Sequence, residues 1–223
     1  MIDQRPVRRI TASDRAPASY DAWPATVPAV EQLLREGWDL PGGVTLLVGL
    51  SPEGGSVQAQ HATRRTESDL TEWIRLERGV GASRWGFFLR AETMHGFYSY
   101  LEDNPGKQGR LEPRFHEMSH GESFLAVLGS RFDSPGLYCL DEPEAALSFS
   151  AQIALVGTLH ELAAGGAQIL VATHSPLLAA LPGARILEVG PWGLREATYD
   201  ELELVAHWRR YLDAPLRYLR HVL

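Results

Sequence analysis

The sequence predicts an α/β fold with a largely parallel sheet and helices on both faces, and two observations carry that expectation. Apolar runs at 44–48 (VTLLV), 137–140 (LYCL) and 169–172 (ILVA) are continuous rather than alternating, as in strands buried on both faces. In the second half of the chain these runs alternate with stretches of helical period, the strand–helix–strand order of parallel sheets.

Taken in order, residues 1–25 are rich in Arg, Asp, Ser and Pro and predict an irregular lead-in with a short edge strand at most. Residues 27–38 predict a helix, because Val30, Leu33, Leu34 and Trp38 share a face and Gly37 lies near its end. The turn Leu40-Pro41-Gly42-Gly43 leads into the strand at 44–48. Between 56 and 78, Leu70, Trp73, Ile74 and Leu76 stand among Thr, Arg and Glu, which leaves strand and short helix both open. Residues 85–90 (WGFFLR) predict an apolar strand, followed by a polar-aromatic segment through Tyr100.

A helix is predicted to begin over 123–128, behind 119-SHGES-123. Then come a strand at 136–144 ending in acids, a helix at 150–164 closed by Gly165-Gly166, and a strand at 168–176. A short helix at 177–181 stops at Pro182-Gly183, and 185–189 is a further strand. Residues 198–223 predict two amphipathic helices broken at Pro215. No internal repeat, low-complexity tract or composition step marks a second domain, so 1–223 reads as one domain.

The chain has 223 residues, 44% apolar, enough for one substantial core. Its net charge of −7 gives no support for a non-specific nucleic-acid partner, although a local basic patch stays open. No apolar run approaches a membrane span, and MIDQRPVRRI lacks the apolar core of a signal peptide. The single cysteine, Cys139, excludes an internal disulfide framework and fits a reducing cytoplasm, the expected location. Lying in an apolar strand, it reads as an inert buried thiol rather than a nucleophile. Only one lysine, Lys107, is present, and it lies in the solvated turn 103-DNPGKQGR-110.

The strongest chemical signal is 137-LYCLDEPEAALS-148. Its apolar residues deliver Asp141 and Glu142 to the C-terminal end of a strand, where ligands bind in open α/β sheets. Adjacent carboxylates there point to opposite sides, so one can hold Mg²⁺ while the other polarises a water for attack on a phosphate. An acidic solvated turn is the simpler alternative. In 169-ILVATHSP-176 a second apolar strand ends in Thr173, His174 and Ser175, and a histidine so placed can bond a terminal phosphate or the attacking water. A lone histidine is more often structural; the acidic pair at a neighbouring strand end shifts that balance. In 119-SHGES-123, hydroxyls and backbone N–H groups before a helix form an anion site, or equally a capping box between Ser119 and Glu122.

Together these segments resemble the ABC-type ATPases, specifically the soluble AAA-family proteins of ABC-like architecture, with a P-loop NTPase-like sheet. The resemblance runs from about Val44 to the C-terminus. It gives SHGES the place of the signature motif, with Ser119, Gly121 and Ser123 closing on nucleotide held by a second subunit. LYCLDE takes the place of Walker B, with Asp141 for Mg²⁺ and Glu142 as the catalytic carboxylate; AALS takes the place of the D-loop, with Ser148, and His174 that of the switch histidine. Glu92, in 86-GFFLRAE-92, falls at the Q-loop position. The cofactors implied are ATP and Mg²⁺, and the assembly implied is a head-to-tail homodimer with a protein partner still to be identified.

One departure stands out at 49-GLSPEGGS-56. The phosphate loop is written G-x-x-x-x-G-K-[ST]; Gly49, Gly54 and Ser56 match it, but Gly55 holds the lysine position. Pro52 removes a backbone donor, Glu53 brings negative charge to a phosphate site, and no apolar helix face comes after it. The resemblance places Gly49 as the first glycine of Walker A and PEGGS well downstream of the helix after it. The junction Gly49/Leu50 therefore reads as a deletion of the loop and its helix. The function expected is an ATPase impaired by that loss. A non-hydrolysing interaction module that keeps the fold and docks a partner through its C-terminal helices is the alternative. A metal-dependent phosphoesterase ranks last, since His116, His120 and His160 lack tight ligand spacing.

Overall fold

The computed structural model describes residues 5–49, 68–90 and 135–220. The expectations for 50–67 and 91–134, including the helix at 123–128, lie outside the described residues. The elements are β1 (Arg9–Ala12), α1 (Pro28–Glu36), β2 (Trp38–Asp39), β3 (Gly43–Gly49), α2 (Leu70–Trp73), β4 (Ile74–Glu77) and β5 (Gly86–Arg90). After these come β6 (Leu137–Asp141), a 3₁₀ turn (Pro143–Ala146), α3 (Phe149–Ala164), β7 (Gln168–Thr173), α4 (Pro176–Ala179), β8 (Arg185–Gly190) and β9 (Gly193–Ala197). A second 3₁₀ turn (Tyr199–Glu201), α5 (Glu203–Asp213) and α6 (Pro215–Leu219) complete the order. Three strands form one sheet, β2-β1-β4, and six form the other, β5-β6-β7-β3-β8-β9. As expected, β3, β6 and β7 are consecutive neighbours in one sheet. Among the described residues no helix is long and apolar enough to cross a membrane.

The chain divides into two compact units, one of Met1–Leu40, Val48–Ala82 and Leu187–Leu223, the other of Pro41–Leu47 and Ser83–Ile186. In the second, β5, β6 and β7 are parallel and in continuous register, from Gly86↔Leu137 and Leu137↔Gln168 to Arg90↔Asp141 and Asp141↔Ala172. Parallel neighbours need a crossover, and α3 supplies it between β6 and β7. Its N-cap is Ser148, whose hydroxyl accepts from Ala151 N at 3.3 Å. Leu155, Leu159 and Leu162 recur on one face and are buried, each worth about 1.5–3 kcal/mol of transfer free energy. Tyr138, Leu140, Ile169 and Val171 are buried along the strands.

In the first unit β1 differs from expectation. It is the middle strand, antiparallel to β2 and β4, because the irregular lead-in leaves both of its edges open to pairing. α1 begins with Pro28 at its first turn and ends at Gly37, whose φ of 71° only glycine adopts without strain, so Trp38 leaves the predicted helix and joins β2. Strand β9 went unforeseen; two residues separate it from β8, a hairpin length. The buried Glu188 on β8 holds this region together. Its carboxylate accepts from Arg195 on β9 at 2.5 Å and from the Glu203 N–H that opens α5 at 2.9 Å. The two helices predicted at the C-terminus form, with Pro215 as the first residue of the second.

Arg195→Ala leaves the Glu188 carboxylate buried with one donor fewer. Stability in urea is expected to fall by about 2–3 kcal/mol. A loss below about 0.5 kcal/mol would mean that the bond to Glu203 suffices alone.

Candidate active site

The site forms where β6 and β7 end side by side. Asp141 stands in register between Arg90 on β5 and Ala172 on β7. The Arg90 guanidinium reaches its carboxylate, with Nε 3.0 Å from Oδ2. The next residue, Glu142, still donates its N–H to Ala172 O at 2.9 Å, so the ladder continues one step beyond the strand. There the chain turns sharply. Glu142 has φ 46° and ψ 51°, the left-handed region, and among the described residues it is the one non-glycine residue with positive φ. The turn sends its carboxylate toward β7, where Oε1 lies 3.4 Å from His174 Nε2, with both side chains partly exposed.

Pro143 then opens the 3₁₀ turn, and Glu144 folds back. Its Oε1 accepts from the Thr173 hydroxyl at 2.7 Å and from the His174 N–H at 2.6 Å, while its Oε2 is buried without a hydrogen-bond partner among the described residues. Thr173 in turn accepts from Ser175 N at 3.0 Å. Ser175 caps α4, accepting from Leu177 N and Leu178 N, and donates its hydroxyl proton to Gln152 Oε1 at 2.6 Å. Gln152 on α3 completes the set through Nε2 to Leu147 O at 3.2 Å.

The structure thus brings Asp141, Glu142 and His174 together, whereas Ser148 serves as the α3 N-cap and Gly49 ends β3. Glu92, Ser119, Gly121 and Ser123, with His116 and His120, lie outside the described residues, as does 50–56. His160 is exposed on α3. Arg90, Glu144 and Gln152 were missed; Glu144 had a signal in the acidic run 141-DEPE-144, the other two had none, and Thr173 was placed at the strand end without a role. Among the described residues no group of three or more His, Cys, Asp or Glu could cage a metal. Asp141 with its neighbour nonetheless fits Mg²⁺, which takes one or two carboxylates and otherwise keeps waters and substrate phosphates.

Comparison with known proteins agrees with this fold. Residues 59–180, more than half of the chain, match the family described as "AAA domain, putative AbiEii toxin, Type IV TA system". The chain belongs to this family. Among solved structures it is similar to one titled "An inward-facing conformation of a putative metal-chelate type ABC transporter", at 14% identity and a TM-score of 0.50, covering 88% of this chain and 84% of that one. A weaker likeness, TM-score 0.43 at 18% identity, is to the "ATP binding subunit of ABC transporter", covering 74% and 82% of the two chains. Another, TM-score 0.37 at 19% identity, is to the "SMC head domain from Thermotoga maritima", covering 54% and 55%. No curated protein matches. The fold is that of an ABC/AAA-type P-loop ATPase, as the motifs implied.

Two outcomes test this geometry. Glu142→Gly relieves the left-handed strain at the loss of a carboxylate, and is expected to raise stability by about 0.5–1 kcal/mol in denaturant titration. A decrease would show that the turn is not strained. Burial pushes the Cys139 thiol above its ordinary range, so less thiolate is present at any given pH. Alkylation at pH 8 should therefore run at least about tenfold slower in the folded chain than in urea, and equal rates would refute burial.

Proposed function

We propose that this chain is an ATP-binding, ATP-hydrolysing protein of ABC-like architecture that acts as a head-to-tail dimer. The observation that supports this best is the left-handed Glu142, aimed at His174 beside Asp141 at the ends of two adjacent parallel strands. Non-glycine residues are held in such a conformation at a cost, and functional sites are where that cost is met.

In this reading Asp141 would hold Mg²⁺, which when bound would supply charge neutralisation at the phosphates of ATP. Glu142, on the other side of the strand end, orients a water in line with the terminal phosphate and accepts its proton. His174 donates to the γ-phosphate. Its 3.4 Å approach to Glu142 lets one residue report to the other whether that water is in place. Ser119, Gly121 and Ser123 of one subunit close over nucleotide on the other, with Glu92 and Ser148 lining the same junction. Without the lysine and loop amides after Gly49, nucleotide affinity and turnover are reduced.

A second reading, a non-hydrolysing interaction module, draws support from the last two helices. Trp208, Leu212 and Leu216 are exposed there, and His207, Trp208, Tyr211 and Tyr218 line a shallow pocket of about 240 Å³. Exposed apolar clusters of this kind mark interaction surfaces.

ATP turnover and sedimentation of two variants separate the readings. In a chain with a lysine-bearing phosphate loop restored after Gly49, Glu142→Gln should keep Mg-ATP binding, cut hydrolysis by at least about a hundredfold and trap an ATP-bound dimer, whereas Asp141→Asn should weaken Mg²⁺-dependent binding itself. Calorimetry should also show that a chain with a lysine-bearing phosphate loop inserted after Gly49 binds Mg-ATP more tightly than the chain as it stands. Turnover unchanged in Glu142→Gln removes the catalytic assignment and leaves the interaction module.

A further inference from the structure

Two polar side chains outside the motif set join the site to the helix behind it. Glu144 uses one carboxylate oxygen for two short bonds, to the Thr173 hydroxyl and the His174 N–H, at 2.7 and 2.6 Å. One bond falls on the backbone of the residue that carries the imidazole and the other on the residue before it. The other oxygen is buried and has no hydrogen-bond partner among the described residues, so the described polar contacts that hold Glu144 are those to β7 and His174. Gln152 makes a second attachment, from α3 to Ser175, and also binds Leu147 O. The segment 145–148 is therefore flanked by two side chains that both grip residues 173–175. Solvation plays little part in either grip, since Thr173 and Ser175 are 2% and 5% exposed.

We propose that Glu144 and Gln152 are positioning residues that clamp His174 to the segment before α3, so that a displacement of that segment is passed to the imidazole. Glu144 sets the backbone of His174, and Gln152 holds Ser175 and with it the start of α4. Neither side chain touches a reacting atom. The clamp rests on the proposed function only for what His174 does once positioned. If segment 145–148 meets a second subunit, as the resemblance implies for Ser148, the clamp links dimer closure to the histidine.

The test uses the full chain. In Glu144→Ala, hydrogen exchange of the His174 amide should speed up on the order of tenfold, and its ¹⁵N–¹H resonance should move upfield. Glu144→Gln keeps an acceptor oxygen and should restore most of that protection; it also serves if the alanine variant fails to fold. Gln152→Ala should perturb Ser175 and Leu177 more than His174. Leu162→Ala, a core change in α3, lowers global stability and should leave the His174 resonance where it is. In steady-state assays Glu144→Ala should lower kcat at least about tenfold with KM within about twofold. A His174 amide unmoved in Glu144→Ala, or moved equally in Leu162→Ala, overturns the clamp. Absence of turnover in a chain with the phosphate loop restored after Gly49 would count against the ATPase reading, while the amide measurements still decide the clamp.

Discussion

The parallel ladder between β6 and β7 is the constraint on which the site depends. Its register pairs Leu137 with Gln168 and Asp141 with Ala172, and the bond from Glu142 N to Ala172 O carries it one residue further. A one-residue slip of either strand would turn its buried pair, Tyr138 and Leu140 or Ile169 and Val171, out of the core, so the apolar pattern holds the register. With the register fixed, the two strands end at one level. Asp141 at the end of β6, Glu142 just past it and the histidine just past β7 are thereby brought to one rim.

Beyond the ladder, the rim of the buried sheet must satisfy its backbone and side-chain polar groups, and the chain does so through a series of local solutions. Glu142 reverses the chain in a left-handed turn, Pro143 starts a helical turn without needing its missing N–H, and Ser148 and Ser175 cap the next helices. Thr173, which is buried, is satisfied from both sides by Glu144 and Ser175. The rim's described polar groups are thus tied by hydrogen bonds while Glu142 and His174 stay partly exposed, which is the combination a water-positioning site needs. Asp141 is different in kind. Its partner in this structure is Arg90, a charge that competes with any cation for the same carboxylate.

The first unit obeys the same rule with other residues. Glu188 is a charged side chain in a buried position, tolerable because an arginine and a helix N-terminus both face it. α1 is tied to the same region by Gln32, whose side-chain oxygen accepts from Leu194 N at 2.7 Å. Further along the chain, α5 buries Leu204 and Val205, and α6 is held to it by Tyr218, which contacts His207 and Tyr211, while Leu212 and Leu216 stay exposed.

The sequence by itself determined the elements and the chemistry-bearing ends of strands. Apolar runs, serine caps, prolines and Gly165-Gly166 act within a few residues of chain, so β3, β5, β6, β7, β8 and α3 could be read to within one to three residues at most boundaries. It also marked Asp141, Glu142 and His174 as one group, because their strand-end positions are set by the same runs. Tertiary structure alone decided that β1 is central in its sheet and that β8 and β9 extend the other sheet beyond β3. It alone decided the contacts of Glu144 with Thr173 and His174, 29 and 30 residues away, and of Gln168 with Pro41 O, 127 residues away. Periodicity records which face of an element is apolar. It does not record what that face or a polar side chain will meet, because the partner is brought in by the packing of distant chain, and no local pattern encodes it.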